Sequence, residues 1–158
     1  MNPGLKVEES SLRDSVVEKY ISHYMGEMRN SLFLESGVGR DNKLIFPAAN
    51  SIVLNHLSAS FENEKAQAFI SCLQGSKGIT TIAQSQNKRF LAWSEETDQV
   101  PVIFLMDLVT RKKKNFASAD IKGSRFISLA FNGTEVSDPK FLLALTSGPE
   151  YQVVQWNF

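Results

Sequence analysis

An all-β fold of short antiparallel strands, stacked sheet on sheet, is what this chain predicts, and three observations predict it. The stretch from Ser124 to Phe158 holds three apolar runs of strand length. They are split by a polar loop carrying Asn132-Gly133 and Asp138-Pro139, and then by Ser147-Gly148-Pro149. Comparable sets of short apolar runs begin at Ser31 and at Gly78. The sets also repeat: Phe104-Leu-Met-Asp-Leu108 lies over Val154-Gln-Trp-Asn-Phe158 at a shift of 50, Ile79-Thr-Thr-Ile-Ala83 over Phe126-Ile-Ser-Leu-Ala130 at 47, and His56 over Asp107 at 51. Such a period lies slightly above the ~40–45 residues of WD repeats and close to the ~50 of kelch repeats. The paired glycines usual in kelch are absent, while a bulky apolar or aromatic residue followed by Asp or Asn closes the third strand, as in WD repeats. The predicted class is therefore all-β: a WD40-like partial β-propeller of about two and a half blades with a short N-terminal α-helix. Two segments follow, an extension over residues 1–30 and an incomplete propeller over residues 31–158.

The helix is read from Ser11 to Met28, where Leu12, Val16, Tyr20 and Tyr24 recur at the spacing of one helical face. Ser11 and Asp14 suit its N-terminus, the hydroxyl as an acceptor for an open backbone N–H and the carboxylate as a counter-charge. That face either packs on the sheets or binds a partner, and we carry Leu12, Val16, Tyr20 and Tyr24 as candidate partner-binding residues.

In the first sheet set, Ser31–Glu35 and Lys43–Phe46 read as strands, Pro47–Asn50 as a breaker and Ser51–Leu57 as a third strand. Lys65–Ile70 is the outer fourth strand, with Glu62 and Glu64 suiting an exposed edge. The second set runs through Gly78–Ala83, Asn87–Trp93, Pro101–Leu108 and Lys114–Ala117, with an acidic loop over Glu95-Glu96-Thr97-Asp98 between its middle pair. Trp93 and Trp156 are read as blade core and not as ligand platforms.

Each such sheet is apolar on both faces and covers them only by stacking between neighbours. About two and a half blades do not close a ring, so we expect a fragment, or a subunit that needs a partner or further blades to cover its open edges.

Composition narrows the function. Hydrophobic content of 42%, charged content of 22% and zero formal net charge give no global attraction to nucleic acid or an acidic membrane. A single cysteine, Cys72, excludes an intrachain disulfide and suits a reducing compartment. The first ten residues lack the apolar core of a secretory signal, and the longest apolar run, Val100 to Met106, falls far short of the ~20 residues that span a bilayer. No membrane contact is expected.

Leu44-Ile-Phe-Pro-Ala-Ala-Asn50, Asn87-Lys-Arg-Phe-Leu-Ala92, Phe126-Ile-Ser-Leu-Ala-Phe131 and Lys140-Phe-Leu-Leu-Ala-Leu-Thr-Ser-Gly-Pro-Glu150 occur in an order that resembles the first blades of a ciliary WD-repeat family, cilia- and flagella-associated protein fifty-seven. The likeness covers about residues 31–158. It implies a non-catalytic interaction scaffold of the ciliary or flagellar axoneme, associated with inner dynein arms and their regulatory complexes on doublet microtubules. The implied partners are other axonemal proteins, among them tubulin or dynein-arm components. Departures are the segment Met1 to Arg29, which has no counterpart, and Asn55-His56 and Met106-Asp107, which stand where the family has Trp-Asp.

Catalytic and cofactor chemistry finds little support. His23 and His56 lack metal-site spacing, Ser147-Gly148 lacks the surroundings of a nucleophile elbow, and Gly37-Val-Gly39 lacks the third glycine of a dinucleotide loop. No enzyme, cofactor or metal is expected. Asn132-Gly-Thr134 is read as a hairpin turn. The one concentrated charge feature is Arg111, Lys112, Lys113 and Lys114, which reads either as a solvated turn guarding a sheet edge or as a contact to an acidic surface such as tubulin tails. A generic cytosolic interaction module, or a binder of acidic surfaces or nucleic acid through residues 111–114, is the alternative function; nucleic acid is the less favoured, because one short basic run is a small footprint.

Overall fold

The computed structural model describes residues 43–57, 67–117, 120–121 and 125–157, together with the backbone of residues 33–35. The predicted helix, with Leu12, Val16, Tyr20 and Tyr24, lies outside the described residues, as do His23, Glu62 and Glu64. Eleven strands are described: β1 (Phe33–Glu35), β2 (Lys43–Ala48), β3 (Ser51–His56), β4 (Gln67–Ser71), β5 (Gly78–Gln84), β6 (Phe90–Glu96), β7 (Val102–Asp107), β8 (Lys113–Phe116), β9 (Phe126–Phe131), β10 (Phe141–Thr146) and β11 (Val153–Asn157).

They form three antiparallel meanders: four strands in the order β1-β2-β3-β4, four in the order β5-β6-β7-β8, and three in the order β11-β10-β9. No helix occurs among the described residues, and the sheets do not close into a barrel. This is the arrangement of a partial WD40-like propeller. The repeat read from the sequence is a repeat of structure as well, since His56, Asp107 and Asn157 each end the third strand of their sheet. Likewise β5 and β9 are the first strands of theirs.

The middle sheet shows why the sets must stack. Leu91 and Trp93 of β6 and Val102, Phe104 and Met106 of β7 point one way and pack with Ile45, Ile52 and Leu54 of the first sheet. Alternate residues Ala92, Ile103 and Leu105 point the other way and pack with Phe126, Leu129, Leu142 and Ala144 of the third. The period of two along each strand thus sends consecutive side chains into different cores, and both faces are buried. At ~1.5–3 kcal/mol for each large aliphatic or aromatic side chain removed from water, the middle sheet draws its stability from its two neighbours.

Both tryptophans sit in these cores, as expected. Trp93 is fully buried and stacks on its cross-strand partner Phe104, with ring centroids 5.2 Å apart. Trp156 is half-buried, meeting Phe126 edge-on at 5.8 Å and Phe116 at 6.1 Å.

Three local expectations are corrected. Pro47 does not break the chain: it lies within β2, paired with Ile52, and the turn is confined to Ala49 and Asn50. The described part of β1 reaches only to Ile45, so a residue that cannot donate stands beyond the described extent of that pairing. Glu95 and Glu96 are not loop residues but the last two of β6, with Glu95 1% exposed. Asn132-Gly133 opens a loop that runs to Lys140 and is not a two-residue hairpin turn. Its Asn132 Oδ1 accepts from the backbone N–H groups of Lys140 (2.8 Å) and Phe141 (2.7 Å), closing the loop from inside. Gly133 follows at a φ of 127°, where a Cβ would stand 3.3 Å from the Cα of Pro139, so no other residue fits without a shift.

Candidate functional site

The first strands of the second and third sheets, β5 and β9, run side by side and give the stack two distinct ends. At the end where they begin, a cleft of about 330 Å3 is lined by Lys77, Ile79, Thr80, Glu96, Arg125 and Phe126 among others. Lys77 Nζ lies 2.9 Å from Asp98 and 4.0 Å from Glu96, which holds the ammonium above its ordinary pKa through the hydrogen bond and charge of Asp98.

Beside Glu96 in the chain, on the face of β6 that Trp93 shares, is a buried carboxylate. Glu95 Oε1 accepts from the Trp93 indole N–H at 2.9 Å, and Oε2 accepts from the backbone N–H of Leu73 at 2.8 Å. Leu73 belongs to the connection from β4 to β5, so a side chain of β6 ties down the crossover between the first two sheets. Cys72 lies beside it. Burial, followed by the charge of Glu95, pushes the Cys72 thiol up to about 11. A thiol held protonated in this way is a poor nucleophile.

At the opposite end, where β5 and β9 finish, three connections meet: the turn between β5 and β6, the turn between β7 and β8, and the loop between β9 and β10. Arg89 links all three. Its Nε and Nη2 donate to Asp107 Oδ2 at 3.2 and 2.9 Å, and its Nη1 donates to Asp138 Oδ2 at 2.6 Å. Asn87 Nδ2 adds bonds to Asp138 Oδ1 (2.8 Å) and to the backbone carbonyl of Ser137 (3.2 Å). A polar clasp therefore joins the second sheet to the third above their shared apolar core. Burial pushes the Asp107 carboxyl up, but the Arg89 guanidinium and the N–H groups of Thr110 and Val109 outweigh it and hold the group at about 2.

The basic run divides into separate roles. Arg111 occupies the tight turn with a φ of 60°, its backbone N–H donating to the Asp107 carbonyl at 2.8 Å. Lys112 is exposed, and its carbonyl accepts from Asp107 N–H at 3.0 Å. Lys113 folds back over the first core, its Nζ 4.9 Å from the Phe104 ring centroid and 5.9 Å from that of Trp93. Lys114 is exposed on β8, the edge strand of its sheet. The run thus lies at a turn and an edge, and only part of it faces solvent from the end of the stack.

In the sequence Asn87, Lys88, Arg89, Asp138 and Lys140 stand only as strand and turn residues, because the three connections that bring them together are far apart in the chain. A hint for Glu95 existed: strict alternation continued from Leu91 and Trp93 places residue 95 on the same buried face. Among the described residues, no group of three or more His, Cys, Asp or Glu side chains could hold a metal ion.

No family model matches the chain. It is similar to cilia- and flagella-associated protein 57 A of Tetrahymena thermophila, with 37% identity over 99 residues, 63% of this chain and 7% of that protein. With cilia- and flagella-associated protein 57 of Mus musculus it shares 33% identity over 116 residues, 72% of this chain and 9% of the relative. With cilia- and flagella-associated protein 57 C of Tetrahymena thermophila the figures are 26% over 155 residues, 93% and 11%. The chain therefore spans between 7% and 11% of the length of these relatives.

Proposed function

Because the chain belongs to the cilia- and flagella-associated protein 57 family, we propose that it is a non-catalytic interaction scaffold of the ciliary or flagellar axoneme, associated with inner dynein arm and regulatory complexes on doublet microtubules. The relatives' names place those proteins with cilia and flagella. The observation that carries the scaffold reading is the burial of both faces of the middle sheet, which makes each sheet a unit for stacking. Polar groups between the sheets serve the same purpose: Glu95, Arg89 and Asp138 hold connections together. Such a surface acts by contact.

The test is to tag the chain at its own locus in a ciliated cell, and then to extract the membrane with detergent. Signal retained on the axoneme, with inner dynein arm components in the cross-linked neighbourhood, is the expected result. A diffuse cytosolic signal would overturn the axonemal reading, and axonemal signal without dynein neighbours would overturn the partner.

A further inference from the structure

We infer that the end of the stack where β5 and β9 finish is a docking surface for an extended acidic polypeptide that also carries aliphatic residues. The charge of the chain is balanced overall but not evenly placed. Glu96, Asp98 and Glu150 lie with Lys77 and Arg125 at the end where β5 and β9 begin, whereas Lys88, Arg111, Lys112 and Lys140 lie with Glu135 at the other. There the carboxylates of Asp107 and Asp138 are both engaged by Arg89, and Glu135 is the remaining acid of these three connections, set against the exposed ammonium groups of Lys112 and Lys140. The topology brings these cations together: Leu108 N–H donates to the Arg89 carbonyl at 2.8 Å, joining the Lys88 turn to the Arg111 turn, and Arg89 reaches Asp138, two residues from Lys140.

The backbone offers a way to remove two of these cations without disturbing the fold. Lys88 and Arg111 occupy left-handed positions, φ 57° and 60°, one in each of two adjacent turns of the same sheet. Such positions favour Gly or Asn, and a long side chain there costs about 1 kcal/mol or more. Both positions carry a cationic residue at the same end of the sheet. Each turn is closed by its own backbone bonds, Lys88 N–H to the Ser85 carbonyl and Arg111 N–H to the Asp107 carbonyl, both at 2.8 Å, and calls for a left-handed residue there, so glycine can replace either cation without disturbing the turn.

The exposed apolar residues of this end choose the partner. Val109 is 53% exposed and Val136 is 96% exposed, one in the β7–β8 turn and the other in the β9–β10 loop. No exposed aromatic ring stands among these turns to stack on a base, which is how single-stranded nucleic acid is gripped. Aliphatic contacts with flanking lysines suit a peptide. The inference does not depend on where in the cell the chain resides, so it stands or falls apart from the axonemal reading.

The experiment measures fluorescence anisotropy of the whole chain with a labelled Glu- and Leu-containing peptide, a neutral peptide of the same length, single-stranded DNA and duplex DNA. Binding of the acidic peptide that weakens with salt, with the neutral peptide and both DNAs at least tenfold weaker, is expected. The discriminating variant is Lys88→Gly with Arg111→Gly. Glycine relieves both left-handed positions, so the melting temperature stays level or rises while affinity falls by about tenfold. Lys112→Gln with Lys140→Gln lowers affinity without touching the backbone. Absence of acidic-peptide binding overturns the inference, as does wild-type affinity in both variants; DNA bound as tightly as peptide overturns the assigned partner.

Discussion

Trp93 donates its indole N–H to the Oε1 of Glu95 at 2.9 Å, and the two side chains, two residues apart on β6, point into the same apolar core. The second oxygen holds Leu73 N–H. Replacing the carboxylate with an apolar group strands two donors in or near the core. Glu95→Leu should lose about 2–4 kcal/mol in urea unfolding, and Glu95→Gln less, because its amide oxygen still accepts one bond. A Leu variant as stable as the Gln variant would show that neither donor depends on residue 95.

Cys72 gives a chemical readout of the same cluster. With its thiol pushed up to about 11 by burial and by Glu95, the thiolate is scarce at pH 8. Alkylation should run ~100-fold slower than for an unperturbed thiol, and Glu95→Gln should accelerate it. Equal rates in the native and urea-unfolded chain would contradict this.

Asp107 sets a pH dependence. Its carboxyl sits at about 2 in the fold against an ordinary 3.8, since Arg89 and two backbone N–H groups outweigh the effect of burial. A depressed carboxylate contributes stability that is fully present above the unfolded value and is lost as pH falls through the folded one. The window is therefore about pH 4 down to about pH 2, with on the order of 2 kcal/mol at stake. Asp107→Asn should start less stable at pH 7 and show a shallower decline across that window.

Lys113 should separate from its neighbours. Its ammonium lies over the rings of Phe104 and Trp93, so Lys113→Gln is expected to cost about 0.5–1 kcal/mol, while Lys112→Gln should leave the melting temperature unchanged. Identical shifts for both would mean that the run acts only through net charge.

Arg89 has two carboxylate partners of different exposure, with Asp107 13% and Asp138 51% accessible. Double-mutant cycles should give a larger coupling for Arg89 with Asp107 than for Arg89 with Asp138, the latter about 0.2–1 kcal/mol and falling with salt. The reverse order would mean that the inter-sheet bond, and not the turn, is the stronger half of the clasp.

How far the sequence carried can be read from particular residues. By itself it determined the strands and their grouping, because apolar runs such as Val102–Asp107 and Phe141–Thr146 are bounded by turn residues and repeat at a shift of about 50, and because local pattern alone carries that information. The sandwiching of the middle sheet followed too, since Trp93 and Ala92 are apolar neighbours that must face opposite ways. Only the tertiary structure decided that Glu95 is buried, that Pro47 stays in its strand, and that Arg89 and Asp138, 49 residues apart, touch. The physical reason is common to all three. A charged or turn-forming residue reads as surface unless its partner is known, and the partner is supplied by the packing of one sheet on the next.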